Sequence, residues 1–263
     1  ITMAFLFAST LFRVIMLVRL RKESTMRLDK LIEETLQTTR KEMKRLFASK
    51  QVKIDGCVEF CQNRNVDSLI HEIEVSGKRL TTNEVYYLLN KPSGAVTAVK
   101  DQTKMTVLDL IASADRAKPL YPVGRLDRDT TGLLLLTSNG QLGYEMLLPD
   151  KKVFKTYEAQ INEQVTASDI EAFQAGIVFE GGYRCLPAQL TIMETSKNSS
   201  RVRVTIQEGK FHQVKKMFLA RGKKVTKLKR LMMGPLQLDD QLAEGAYRSL
   251  TLTELKQLKI YFK

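Results

Sequence analysis

Residues 121–137 read YPVGRLDRDTTGLLLLT. The last five, Leu133 to Thr137, form a continuous apolar run, the pattern of a strand covered on both faces and therefore central in its sheet. Ahead of it, Arg125, Asp127, Arg128, Asp129, Thr130 and Thr131 lie between Gly124 and Gly132. A charged loop at the edge of a buried sheet is a place for a reactive group. On residue types alone a salt-bridged turn, with Asp129 or Thr130 capping it, explains the same loop.

Strands of mixed connection surround this one. Val85 to Leu89 reads as a buried strand, with Asn90-Lys91-Pro92-Ser93-Gly94 as its terminating turn. Lys155 to Ile161 and Arg201 to Ile206 alternate and read as strands. Thr166 to Ala175 has helical periodicity with Ile170 and Phe173 inward, and Phe211 to Ala220 reads as a helix ended by Gly222. Strands outnumber helices, so residues 81–263 are expected to form an α+β domain with a mixed, largely antiparallel sheet.

A smaller block precedes it, residues 26–80. Leu28, Leu31, Ile32 and Leu36 recur at helical spacing; Thr39 caps a second helix, Arg40 to Ala48. Two short β-prone runs flank Asp55-Gly56, a hairpin signal. The stretch Ser76 to Asn83 is polar and marks the boundary between the blocks. Between positions 40 and 53, Arg40, Lys41, Lys44, Arg45, Lys50 and Lys53 oppose only Glu42. Such a helix can follow a phosphate backbone, although solvated basic faces are common. The whole chain carries a formal charge of +13, which favours a polyanionic partner. From Gly209 to Arg230 there are nine basic residues and no acidic one, so an anion is expected against that surface.

Three cysteines, Cys57, Cys61 and Cys185, make no disulfide framework and suit a reducing compartment, so a cytoplasmic location is expected. Only two histidines occur, and no metal site or cofactor is expected. Residues 1–25 are apolar, interrupted by Arg13 and closed by Arg19, Arg21 and Lys22. They are read as an extension outside the functional fold in preference to a membrane anchor, because the apolar run is short and carries a mid-run charge.

The order GRLDRDTTGLLLLT is closely similar to the signature of pseudouridine synthases of the RsuA type. Leu89-Asn90-Lys91-Pro92-Ser93-Gly94, Lys155-Thr156-Tyr157 and Glu208-Gly209-Lys210-Phe211-His212-Gln213-Val214-Lys215-Lys216-Met217 resemble three further motifs of that family, in the family's order. MRLDKLI followed by TRKEMKRLFASKQVKIDG resembles the alpha-L RNA-binding domain of the S-four type. The resemblance implies an isomerase that converts uridine to pseudouridine in ribosomal RNA without a cofactor, using Asp127 as nucleophile, Lys215 as its fixed cation and Tyr157 stacked on the uracil. Many relatives carry Arg where Lys215 stands. It further implies RNA contacts by Arg125, Arg128, Lys91, Lys210, His212, Gln213 and Lys216, and by Arg40, Lys44, Arg45 and Lys50 in the first domain. The expected target is uridine 516 of 16S rRNA, free or in an assembly intermediate, bound by a monomer. Alternatives are a 23S rRNA enzyme and a non-catalytic RNA-binding assembly protein.

Overall fold

A computed structural model describes residues 27–116, 118–179 and 181–262, so the expectation for residues 1–25 falls outside the described part. Two helices open it, α1 (Leu28–Leu36) and α2 (Arg40–Ala48). α1 buries Leu28, Leu31 and Ile32, three positions on one helical face. α2 starts at Thr39 with a reciprocal cap: the Glu42 amide donates to the Thr39 hydroxyl, and the Thr39 amide donates to the Glu42 carboxylate at 2.8 Å. Strands β1 (Val52–Ile54) and β2 (Cys57–Val58) turn at Asp55-Gly56, both left-handed at φ 51° and 78°.

A second hairpin follows, β3 (Ile73–Val75) and β4 (Lys78–Arg79), turning at Ser76-Gly77. The polar stretch expected as a boundary thus contains a turn and a strand. β4 is only two residues long and both are basic, too little for an alternating pattern to register. The four strands are ordered β2-β1-β3-β4, and β1 and β3 share a core with both helices, which Leu80 closes.

The remaining strands form one nine-stranded sheet. Its members are β5 (Tyr86–Lys91), β6 (Tyr121–Pro122), β7 (Thr131–Thr137), β8 (Lys155–Ile161), β9 (Gln189–Thr195), β10 (Ser200–Ile206), β11 (Val225–Met233), β12 (Leu236–Gln237) and β13 (Tyr247–Ser249). The order is β13-β5-β7-β11-β8-β10-β9, with β6 on β7 and β12 on β11. Only β7 and β11 run parallel; every other neighbouring pair is antiparallel. Leu133 to Leu136 are wholly buried, the odd pair in one apolar cluster and the even pair in the other. Helices α4 (Ala167–Ala175) and α5 (Gln213–Leu219) cover one face through Phe173, Val214, Met217 and Phe218. α3 (Gly140–Leu147) and α6 (Leu252–Gln257) cover the other through Leu142, Met146 and Leu255.

Two boundaries differ from the sequence expectation. β5 runs on through Asn90 and Lys91, because these pair with Leu133 and Gly132 instead of turning. α5 begins at Gln213, not Phe211, because His212 is left-handed at φ 53° and cannot extend the helix. The two parts of the chain meet over polar groups. The Tyr86 hydroxyl donates to the buried Asp67 carboxylate, Thr82 donates to it at 3.0 Å, and Lys259 pairs with Asp55 at 2.7 Å. Among the described residues no helix is long and apolar enough to cross a membrane.

Candidate active site

The loop ahead of β7 is held by the segment that follows β5. Thr97 Oγ1 donates to the Leu126 carbonyl at 2.8 Å and accepts from the Leu126 amide at 3.2 Å. The Gly94 amide donates to the Arg128 carbonyl at 2.8 Å. Inside the loop the Thr130 amide donates to the Asp127 carbonyl at 3.1 Å. The end of the loop requires glycine: Gly132 has φ 100°, and a Cβ there would lie 2.3 Å from the Arg230 carbonyl oxygen on β11.

Lys91 is the centre of this scaffold. Its side chain is wholly buried, and Nζ donates to the carbonyls of Pro92 at 2.9 Å, Arg128 at 3.1 Å and Thr130 at 2.8 Å. Burial pulls the ammonium down to about 8, while the nearby carboxylates of Asp129 and Asp127 oppose that shift. An ammonium with three carbonyl partners and no exposure does not meet RNA, so the expected RNA contact is corrected: Lys91 holds the loop. Gln213 is corrected in the same way. It is buried, accepts from the Lys210 amide at 2.9 Å and donates to Glu208 at 2.8 Å, which fixes the turn into α5.

α5 delivers the cation. Lys215 Nζ lies 3.1 Å from Asp127 Oδ2, and 2.7 and 2.9 Å from the two oxygens of Asp129. Burial alone would lower this ammonium, but its bonds to Asp129 and Asp127 outweigh that and hold it above its ordinary value. The Lys215 hydrogen bond in turn holds Asp129 below the usual carboxylate range. Asp129 therefore has a partner 86 residues away and shares the cation of Asp127, which the sequence reading of purely local bonding missed. His212 Nε2 lies 3.4 Å from Asp127 Oδ1, an ion pair when the ring is protonated. The Asp127 side chain keeps 25% of its surface exposed, so a substrate atom can approach it.

Tyr157, on β8, is 8% exposed and belongs to the apolar cluster that also holds Leu126, the residue before Asp127. Arg125 and Arg128 are exposed at the loop surface, and Arg128 Nε donates to the Gly94 carbonyl at 3.2 Å. Lys210, ahead of α5, and Lys216, on it, are exposed. Arg40, Lys44, Arg45 and Lys50 are all exposed on α2 and the turn after it, with no ion pair among the described residues.

The basic stretch 209–230 is partly neutralised from within. Arg221 and Lys223 pair with the buried Asp169 at 2.9 and 3.1 Å, Lys215 pairs with Asp127 and Asp129, and Arg230 is buried with Nε on the Leu133 carbonyl at 2.8 Å. Lys210, Lys216, Lys224, Lys227 and Lys229 have no carboxylate within 4 Å among the described residues and remain for an outside anion. The anion expected from charge alone is thus in part Asp169, too far along the chain to be seen in the sequence.

Residues 85–220 match the family described as RNA pseudouridylate synthase. An uncharacterized RNA pseudouridine synthase of Bacillus subtilis strain 168 is 41% identical over 234 residues, covering 89% of this chain and 98% of that protein. The ribosomal small subunit pseudouridine synthase A of Vibrio cholerae is 38% identical over 243 residues, covering 89% of this chain and 99% of that protein. A crystal structure of a pseudouridylate synthase superposes with a TM-score of 0.62 at 35% identity, covering 89% of this chain and all of that one. With a rigid carboxylate-bearing loop and its cation in place, the chain belongs to the RNA pseudouridylate synthase family and is an isomerase acting on RNA.

Proposed function

We propose that this enzyme converts one uridine of small-subunit ribosomal RNA, uridine 516 of 16S rRNA, to pseudouridine, with Asp127 as the nucleophile. The observation that carries the chemistry is the Asp127 carboxylate, held on a pinned loop, part-exposed and 3.1 Å from Lys215. The Vibrio cholerae relative, named for the ribosomal small subunit, supports the choice of RNA.

The reaction breaks the bond between uracil N1 and ribose C1′, turns the base, and joins C1′ to C5. The proton on C5 leaves and N1 gains one, so nothing is oxidised and no group is added. A carboxylate serves as nucleophile at the sugar or at the base. It must stay ionised while RNA covers it, and the Lys215 charge offsets that loss of water. Lys215 supplies a point charge without the fork of an arginine. Asp129 fixes its position. Tyr157 stacks on the uracil from the apolar side, and its hydroxyl joins the proton transfer from C5.

A uridine within folded RNA must leave its stack to reach Asp127, which costs a few kcal/mol repaid in the pocket. Arg125 and Arg128 at the loop rim are suited to the flipped nucleotide's phosphates. Residues 27–80 act as an RNA-binding domain of the S-four type through Arg40, Lys44, Arg45 and Lys50, positioning the RNA without reading its sequence. The enzyme works as a cytoplasmic monomer on rRNA or an assembly intermediate. Carbodiimide-primed reverse transcription of rRNA from a deletion strain tests the target. Loss of one 16S stop, restored by the wild-type gene, is expected. Loss of a 23S stop overturns the choice of subunit, and no lost stop overturns an rRNA target.

A further inference from the structure

Next to Asp127 lies a surface that the chemistry above does not use. Phe211 is 71% exposed, and its ring stacks on the His212 imidazole with centroids 3.8 Å apart and planes 21° from parallel. The same imidazole lies 3.4 Å from Asp127. The left-handed backbone at His212 makes α5 begin only at Gln213, which leaves the Phe211 ring outside the helix and out of the core. Lys216 Nζ stands 5.2 Å from the Phe211 ring centroid and 5.8 Å from that of Phe179. Phe179 lies 6.1 Å from Tyr183, which is 43% exposed, and Lys210 Nζ stands 4.7 Å over the Tyr183 ring. Backbone bonds fix this second group: the Phe179 amide donates to the Tyr183 carbonyl at 2.8 Å, and the Gly182 amide to the Phe179 carbonyl at 3.0 Å.

Rings and ammonium groups therefore alternate along one surface that starts at the catalytic carboxylate. An isolated exposed phenylalanine is ordinary, but three aromatics interleaved with two lysines that lack carboxylate partners are not a hydrophobic patch for protein. Ring faces take nucleobases by stacking, whatever their identity, and lysines beside them take the phosphates that link those bases. A paired duplex presents no free base face to such a surface.

We propose that Phe211 and Tyr183, with Lys210 and Lys216, form a stacking platform for an unpaired RNA nucleotide flanking the target uridine. The platform rests on the reading of Asp127 as the reaction centre, and it makes the enzyme select uridines whose neighbours are already unstacked. When a base arrives, Lys216 exchanges its ring contact for a phosphate.

Fluorescence anisotropy with the full chain tests this. The probes are a fluorescein-labelled oligouridylate of about ten nucleotides, within the span such grooves cover, and a duplex of equal length. Phe211→Ala and Tyr183→Ala are each expected to weaken single-strand binding roughly tenfold, about 1.4 kcal/mol, and Phe211→Tyr to restore it. The salt dependence of Phe211→Ala stays that of wild type, because no phosphate contact is lost, whereas Lys216→Gln flattens it. Single-strand binding by Phe211→Ala equal to wild type overturns the proposal, as does an equal loss on duplex and single strand. Absence of pseudouridine formation would defeat the Asp127 reading while leaving these affinities measurable. An active enzyme indifferent to Phe211 in both assays would defeat the platform alone.

Discussion

Replacing Lys91 with Met tests whether the loop that carries Asp127 is pinned from beneath. The substitution keeps an unbranched stem in a wholly buried position and removes the Nζ donor from the Pro92 and Thr130 carbonyls, while the Arg128 carbonyl keeps the Gly94 amide at 2.8 Å. Each buried acceptor left unpaired costs about 1–3 kcal/mol, so these two cost about 2–6 kcal/mol. Against this, wild type keeps a charge in a buried site that pulls it from 10.5 to about 8, a penalty of at most about 3 kcal/mol that the variant recovers. The acceptor loss wins, with a net destabilisation of about 1 kcal/mol. The chain has no tryptophan, so urea unfolding is followed by far-ultraviolet circular dichroism. The midpoint should fall by about 0.3–1 M. Catalytic turnover should fall with it, because the Arg128 and Thr130 backbone lies beside Asp127, the proposed nucleophile, while RNA affinity changes little. An unchanged midpoint with weakened RNA binding would refute the reasoning and return Lys91 to the RNA-contacting surface.

Gly132→Ala is expected to cost more than about 3 kcal/mol, because its Cβ meets the β11 backbone at 2.3 Å in a left-handed conformation; thermal unfolding checks it, and a near-neutral result would mean that β7 and β11 can separate freely. Lys155 is also pulled down to about 8, first by burial and then by Arg230. The folded protein therefore sheds this proton near 8 while the unfolded chain keeps it to about 10.5, and stability rises with pH between those values. Relative to Lys155→Met, wild type should gain up to about 3 kcal/mol across that window, and parallel pH profiles would show that the ammonium is not desolvated.

Features written in neighbouring residues were legible in the sequence. The Thr39–Glu42 cap spans three positions, the Asp55-Gly56 turn two, and the β7, β8 and β10 strands show their burial directly as continuous or alternating apolar residues. The pairing of Lys215 with Asp127 was implied only by the family resemblance; their polar atoms lie 3.1 Å apart. Long-range polar contacts were not legible. Nothing local distinguishes Lys91 as a buried peg from a surface lysine, because the carbonyls it serves on Arg128 and Thr130 are 37 and 39 residues away. Asp129 and Asp169 found cations in the same distant way, and Asp169 therefore consumed positive charge that composition assigned to RNA. Phe211 read as the first residue of a helix, and the left-handed His212 places it outside that helix. Signal existed there in the order Lys-Phe-His beside a basic helix, but periodicity favours extending the helix over breaking it.

In the proposed reaction the Asp127 carboxylate attacks and the C5 proton of uracil is lost. Ribosomal RNA transcribed with uridine tritiated at C5 reports that loss directly as tritium released to water. Wild-type enzyme should release it in step with pseudouridine formed, and Asp127→Asn, which keeps shape but loses charge, should release none above background while binding RNA normally. Tritium release by Asp127→Asn at the wild-type rate would contradict the account and move the nucleophile elsewhere.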